Sequence, residues 1–468
     1  MQNEIKDVVI IGGGVVGTAI LRKLSLYHLS IALVEKQPDV CEGASKANSG
    51  IIHTGFDAPP NSLEAECLKR SRDLWPDYTE QLKIPYIPCG AIMVATNEEE
   101  KDIIENKYIP NAEANGAHVE WLDRDEVLEM NPAVTDKVVG ALSIPGEAIC
   151  DPFTATRSYA ELAVINGAEL FLGSGVTDIK EIENGFSVIL EDGREIKTKY
   201  IVNAAGVYSD HISRMIGDTS FTISPRKGQF ILTEEEIDIS QIILPVPTAK
   251  SKGTLVSPVV FGGFLLGPTA EDQQDKEDKS TSTEGMEQVV TGCEKLIPQV
   301  REYDSIRQFA GIRAVCSTGD YVIRPSEKNK QFIHAAGIRS TGLSASPGIA
   351  EVVAEQLQSA GLELEKNHEA KLEIPNLFDD SEENVGEIIC LCRTITRSEI
   401  TNAMEGPVPP TTIDGVKRRT GATLGECQGN CCIPKIVDIL HEYGLDDHKV
   451  PLKGIQHSTI AVKGGPQR

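Results

Sequence analysis

Residues 12–17 read GGGVVG, a G-x-G-x-x-G pattern on Gly12, Gly14 and Gly17, and their surroundings leave few folds open. A β-branched run, KDVVII, precedes it at 6–11. A helical pattern follows over 15–28, and SIALVEK at 30–36 reads as a second strand. Strand, glycine turn, helix, strand is the opening of a parallel dinucleotide-binding unit. Gly12 permits the tight turn. Gly14 lets a pyrophosphate approach the free N–H groups at the helix N-terminus, and Gly17 lets the helix pack on the strand. Glu35 ends the second strand where a carboxylate hydrogen-bonds a ribose diol and repels a 2′-phosphate, which disfavours NADP. No second G-x-G-x-x-G occurs. One dinucleotide is therefore expected, reduced directly by a small molecule rather than by a nicotinamide held on the same chain.

The remaining pattern extends an α/β class with a Rossmann-like domain. Helix-like patterns cover 62–82 and 98–117, with a strand-like YIPCGAIMVAT between them. DPFTATRSYAELAVINGAEL at 151–170 reads as a helix with proline near its start, and YIVNAAG at 200–206 as a buried strand entering a turn. Between 221 and 334 the runs QFILT, GTLVSPVV, FLLGPT, DYVIRP and QFIHAAG predict an inserted antiparallel sheet. A helix is expected over 346–361. Residues 366–386 are polar and acidic, without period, and read as a linker. A small module is expected over 387–445, with a tail over 446–468.

The net charge of -25 argues against nucleic acid, whose phosphates need a basic surface, and against adsorption to anionic lipid by charge alone. No apolar run approaches the roughly 18 residues of a membrane span. The first residues pass directly into a strand without a signal-peptide pattern. A cytoplasmic protein is expected, with peripheral docking on a membrane, through a partner or a small apolar patch, left open.

Of 11 cysteines, Cys41, Cys67, Cys89, Cys150, Cys293 and Cys316 stand singly, as free thiols do in a reducing compartment. The other five fall between Cys390 and Cys432. Cys390 and Cys392 form C-x-C. Cys427 and Cys432 form C-x4-C, with 34 residues between the pairs. Such clustering points to metal rather than disulfides, with zinc as one reading, although zinc modules more often use C-x-x-C pairs.

After the glycine loop, GASKANSGIIHTG at 43–55 supplies small and polar residues able to wrap a second phosphate and a flavin ring. Here the chain resembles the FAD-dependent family that includes D-amino-acid oxidase, glycine oxidase, glycerol-3-phosphate dehydrogenase and L-2-hydroxyglutarate dehydrogenase. NSGIIHTG is most similar to the loop of the last two. The resemblance continues in CDPFTATRSYA, IVNAAGVYSD, PRKGQFIL, LLGPTAE, FAGIRAV and STGLSASPGIAEVVAEQL, in order over about 6–365. It implies FAD-binding parts at about 1–85, 145–220 and 310–365, and a substrate domain at about 86–144 and 221–309. It places Ser45, Asn48, Ser49, Val176, Ala205, Gly206, Gly342, Leu343 and Ser344 at the flavin nucleotide, beside the glycines and Glu35.

The same resemblance implies the substrate chemistry. Oxidising a secondary alcohol needs a base for the hydroxyl proton, a hydride acceptor at flavin N5, and a cation for the anionic part of the substrate. His53, in the loop beside the isoalloxazine, suits the base. Arg313, in AGIRAV, is the expected anion clamp. Arg339, at the start of the flavin-ring loop, is a second candidate, and Arg226 and Lys227 are weaker ones. STGLSASPG at 340–348 precedes the expected helix, whose N-terminus would stabilise negative charge on the flavin's N1–C2=O edge. One departure stands out. HTGFDAPPNSLEAECLKRS lacks the arginine of the H-x-G-x-R-Y loop of many glycerol-3-phosphate oxidases and dehydrogenases.

The tail, from about 387 to 445, resembles the bacterioferritin-associated-ferredoxin-like [2Fe-2S] domain, through its cysteine order and through TITRSEITNAM and DGVKRRTGATLGECQGNCC. The resemblance implies a cluster on Cys390, Cys392, Cys427 and Cys432, with Cys431 able to replace Cys432. Lys417, Arg418 and Arg419 are expected to offset its negative charge. A flavin takes two electrons at once and a [2Fe-2S] centre carries one at a time. The tail is therefore expected to pass electrons to a partner protein or quinone. Within this reading sn-glycerol 3-phosphate is the favoured substrate, followed by L-2-hydroxyglutarate or another 2-hydroxy acid. Amine oxidation is a further reading, and a non-catalytic electron carrier another. Oligomerisation is compatible with all of them.

Overall fold

The structure, a computed structural model, describes residues 5–234, 236–247, 253–375, 386–445 and 452. Its centre is a parallel sheet. The strand Lys6–Ile11 pairs with Ile31–Glu35 on one edge and Glu195–Asn203 on the other. Glu169–Leu172 and Phe332–Ala336 extend the parallel order outward. Side chains of a strand alternate between faces. Val8 and Ile10 accordingly enter a core with the helices Val15–Leu24, Pro152–Ile165 and Gly342–Ser359. Val9 and Ile11 enter another, under the hairpin of Val176–Ile182 and Gly185–Leu190. Both faces of this strand are thus buried, one under helices and the other with the hairpin's side chains, which is why KDVVII is almost wholly apolar. The carboxyl ends of these strands open onto the glycine loop, Glu35, residues 204–206 and residues 337–342, and a cofactor binds at such an edge.

A second sheet stands beside the first. Its spine is the long antiparallel pair Ile223–Thr233 and Arg307–Cys316. Phe264–Gly267, Leu255–Pro258, Ile242–Pro245, Ala91–Ala95, Gly140–Ile144 and Glu120–Asp123 follow in that order. Two expectations change here. The sheet is mixed rather than antiparallel, because Ile242–Pro245 runs parallel to Ala91–Ala95. DYVIRP and QFIHAAG belong instead to the nucleotide sheet, where Phe332–Ala336 is a fully buried strand beside Glu195–Asn203. Periodicity marks a strand but not its partner.

Three helices also depart from their expected limits. The first ends at Leu24, four residues early. The segment expected over 98–117 contains a π-helical turn at Ile104–Tyr108 before resuming as Ile109–Asn115. Pro110 cannot donate to the preceding turn, and the wider turn accommodates it. The helix expected from 346 starts at Gly342, so STGLSASPG forms its first turns instead of preceding it. Pro347 lies inside, and the Ser346 hydroxyl donates to the Leu343 carbonyl at 2.9 Å, replacing the bond that proline cannot make.

Residues 366–375 of the expected linker are fastened down. Asn367 donates to the Leu26 carbonyl, Lys371 N–H to Asn166, and Ile374 to the Gln81 carbonyl. The rest of the linker, 376–385, lies outside the described residues, as does the tail except Leu452. The hairpin of Ile388–Cys390 and Ile395–Thr396 then leads into the helices Arg397–Glu405, Ile413–Thr420 and Ile433–Glu442. These build a small core of their own.

Candidate active site and thiol cage

The glycine loop takes the shape its sequence requires. Gly12 has φ +116°, and a Cβ there would strike the Ala204 carbonyl. A Cβ at Gly17 would run into the carbonyl oxygen of Gly12. Gly14 caps the helix Val15–Leu24 with extended backbone, and no acidic residue occupies the first turn. Ser45 accepts from Val15 N–H at 2.8 Å, and Cys41 N–H donates to the Gly13 carbonyl, so loop 41–48 is laced to the glycine turn. Glu35 accepts from Gly13 and Gln37 N–H groups at 2.7 and 2.8 Å, and burial raises its pKa. Val176 opens its strand near this end, two residues past Ser174, which donates to the Glu35 carbonyl. Ala205 adjoins Gly12 across the sheet edge, and Gly206 follows it at the start of a short helical turn. Asn48 donates to the Ser45 carbonyl at 2.7 Å and accepts from Gly50 N–H at 2.8 Å, shaping the turn at half-buried Ser49.

These residues fit an FAD. A pyrophosphate suits a helix N-terminus with no acidic residue in its first turn, and the starts of the helices Val15–Leu24 and Gly342–Ser359 both provide that. A Cβ at Gly342 would touch Ile338 and come within 3.9 Å of Val16, so the two helix starts converge. Leu343 is buried, and Ser344 accepts from His53 N–H at 2.9 Å while donating to the Ile51 carbonyl at 3.0 Å.

His53 has a partner that sequence reasoning missed. Its Nδ1 lies 2.8 Å from Glu147 Oε2, and Glu147 Oε1 accepts from Thr54 N–H at 2.7 Å and from the Thr54 hydroxyl at 3.0 Å. Sheet register brings them together. Ile51 pairs with Ile149 and Ile52 with Ala148, so the next position opposes His53 to Glu147. Local sequence around PGEAIC carries no signal for this contact.

Arg313 lies on the second sheet, opposite Arg226. Its Nη2 donates to the Thr269 carbonyl at 2.7 Å, and no carboxylate pairs with it among the described residues. Burial, with Arg226 nearby, pushes its pKa down to about 10. Gly228 leaves room for the guanidinium, and a Cβ there would collide with it. Gly311, on the same face of the strand, abuts the Ala47 carbonyl. Arg313 therefore shares a strand face with Gly311, the residue that abuts the loop leading to His53. The other cations are committed elsewhere: Arg226 grips Asp272 at 2.6 and 3.0 Å, and Lys227 pairs with Asp278 at 3.0 Å. Arg339 pairs with Glu64 at 3.1 Å.

The thiols neighbour one another, Cys390 beside Cys432 and Cys427 beside both Cys392 and Cys431. Gly425 permits this, since a Cβ there would collide with Cys392. Thr394, Thr423 and Gln428 adopt left-handed backbone around them, a strain that concentrates at ligand clamps. No group of three or more ligating side chains converges on one metal position among the described residues. Cys432 is buried, whereas Cys431 is exposed and lies against Cys427.

Lys417, Arg418 and Arg419, expected to offset the cluster's charge, are each paired with a carboxylate. They project from Ile413–Thr420 into a buried ionic seam. Arg418 bonds Asp39 and Glu42 at 2.8 and 2.7 Å, and Arg419 bonds Asp39 at 2.6 Å. Lys46 reaches Asp414 at 3.0 Å, and Lys417 pairs with Asp414. The helix docks the small domain on loop 39–46, and those carboxylates claim its cations.

Fold and site together define a dinucleotide-binding oxidoreductase with an appended thiol cage. Residues 7–356 match the FAD dependent oxidoreductase family, and the chain belongs to it. Residues 388–442 match the BFD-like [2Fe-2S] binding domain. FAD and a [2Fe-2S] cluster are its cofactors. The chain is 35% identical over 456 residues to a glycerol 3-phosphate dehydrogenase of Caloramator mitchellensis, with 94% of this chain and 95% of that protein covered. It is 29% identical over 272 residues to an L-2-hydroxyglutarate dehydrogenase of Escherichia coli (strain K12), covering 56% of this chain and 64% of that protein. Dithionite-reduced L-alpha-glycerophosphate oxidase from Mycoplasma pneumoniae with FAD bound superposes with TM-score 0.75 at 30% identity, over 80% of this chain and 99% of that one. No helix among the described residues is long and apolar enough to cross a membrane.

Proposed function

We propose that the protein oxidises sn-glycerol 3-phosphate to dihydroxyacetone phosphate and passes the electrons through its cluster to a partner protein or quinone. The observation that carries this reading is Arg313, a half-buried guanidinium with no carboxylate partner among the described residues, on the strand face whose Gly311 abuts the loop leading to His53. Such a cation suits a phosphate or carboxylate dianion. Arg313 binds the anionic end, and His53 takes the proton from the substrate hydroxyl. The flavin, when bound, supplies the hydride acceptor. The N-termini of Val15–Leu24 and Gly342–Ser359 hold its anionic parts, together with loop 45–49. Arg339 acts through its pair with Glu64, fixing the start of the second helix.

Cys390, Cys392, Cys427 and Cys432 hold the cluster, the buried position of Cys432 favouring it over Cys431. The relative named an oxidase is covered almost end to end by 80% of this chain, whereas the one named a dehydrogenase follows 94% of it. That difference supports an electron exit through the appended domain.

A second reading, L-2-hydroxyglutarate, is favoured by the missing loop arginine. Anaerobic flavin bleaching tests both. Bleaching by sn-glycerol 3-phosphate alone supports the first, bleaching by the hydroxy acid alone replaces it, and bleaching only by an amine overturns both.

A further inference from the structure

We propose that Glu147 is a positioning residue that fixes the tautomer of His53, and that this tautomer makes the imidazole a base toward substrate instead of a hydrogen-bond donor. The kinetic half of the test rests on the alcohol-oxidising reading above; the tautomer itself does not.

The geometry is closed on three sides. Glu147 is fully buried, and its side chain is reached from one direction by Thr54 and from another by His53. Thr54 gives Oε1 two donors, one of them a backbone N–H that can only donate. Oε2 is left for Nδ1 at 2.8 Å. A carboxylate only accepts, so Nδ1 carries the proton and the neutral ring has its lone pair on Nε2. The backbone beneath is pinned as well, because His53 N–H donates to Ser344, whose own hydroxyl donates to Ile51. A Cβ at Gly146 would come within 2.8 Å of the Thr54 methyl, so glycine there lets the carboxylate and the threonine close on each other. Ring orientation, tautomer and backbone are thus set by separate contacts.

The consequence for the reaction is specific. The substrate hydroxyl proton would pass to Nε2, and a bound flavin would supply the acceptor for the carbon-bound hydrogen with its electron pair, so that one proton and one hydride depart and a ketone remains. Nδ1 keeps its proton throughout. The imidazolium that forms already faces a buried carboxylate, which stabilises it without rearrangement.

Glu147→Gln separates this role from simple packing. The Thr54 N–H still requires an oxygen, so the amide nitrogen must take the position facing Nδ1. It donates there, the ring proton moves to Nε2, and the base is lost although shape is kept. The limiting rate of flavin bleaching by sn-glycerol 3-phosphate should fall ~100-fold or more, as when a triad carboxylate becomes an amide, with substrate Kd changed less than ~3-fold and FAD content unaltered. An unaltered limiting rate overturns the proposal. Long-range 15N–1H correlation spectra of the oxidised, histidine-labelled holoenzyme read the tautomer directly, with His53 assigned by its loss in His53→Asn. Protonated Nδ1 is expected in the wild type, and protonated Nε2 there overturns the proposal even if the Gln variant fails to fold. If sn-glycerol 3-phosphate does not bleach the wild type, the substrate reading fails and the spectrum still decides the role of Glu147.

Discussion

Arg313 holds a charge that its surroundings disfavour. Burial lowers its pKa to about 10, so the charged form is destabilised at every pH below that value and relieved only above it. Replacing the guanidinium with an apolar chain of similar length, Arg313→Met, should raise the substrate-free Tm by a few degrees. It should also weaken sn-glycerol 3-phosphate binding by ~100-fold, since hydrogen bonds to charged groups contribute about 1.5–3 kcal/mol each. Thermal scans and flavin-bleaching titrations measure the two effects. At the cage, Cys432→Ser should abolish the visible cluster spectrum while Cys431→Ser preserves it, because only Cys432 is buried against Cys390. Residue types were readable where chemistry restricts them, as in the candidate histidine, the arginine of AGIRAV and the clustered thiols. Glu147 was not readable, because its partner is set by strand register across 94 residues of chain.

At the scale of elements, the glycine turn and its helix behave as one object. A Cβ at Gly17 would meet the backbone of Gly12, which has no room to retreat beneath Ala204. Gly17→Ala should therefore lift the helix from the turn and sharply reduce FAD content, read from the ratio of flavin to protein absorbance in the purified protein. This element was legible because steric constraint is written directly into the sequence as absent side chains. The start of the helix Gly342–Ser359 was less so. Serines and a proline at 344–347 resemble a loop leading into a helix, yet the Ser346 hydroxyl replaces the missing backbone bond and lets the helix begin earlier. Strand partnership was the least legible, since a buried run such as QFIHAAG satisfies either sheet.

For the whole molecule, the buried seam between the two parts governs how they stay together. Burial alone would raise the pKa of Asp39, but Arg419 and Arg418 hold it below the usual aspartate value, and Asp414 is held low likewise despite its burial, by Lys417, Lys46 and Arg418. A carboxylate depressed in the folded state contributes stability that is full above its unfolded pKa, about 3.9 for aspartate, and is lost only as pH falls through the lower folded value. Docking of the small domain should accordingly survive acidification to below about pH 4, followed by limited proteolysis between the two parts. Asp39→Ala should destabilise the docked state by about 3–5 kcal/mol in urea titrations, since it leaves two buried guanidiniums short of a partner. None of this was legible. KRRTG reads alike whether its cations face a cluster or carboxylates some 380 positions upstream.

The seam also bears on modularity. In sequence the thiol-bearing domain looks detachable, a unit that could be grafted onto any shorter relative. Its docking helix, however, carries Arg418 and Arg419 inward onto Asp39 and Glu42, residues that belong to the host. A host lacking those two acids would bury Arg419 with no carboxylate opposite it and leave Arg418 with Asp414 alone, at a cost of several kcal/mol. Transplanting the domain thus requires transplanting its socket, and the smallest exchangeable piece of this protein is a pair of segments far apart in the chain.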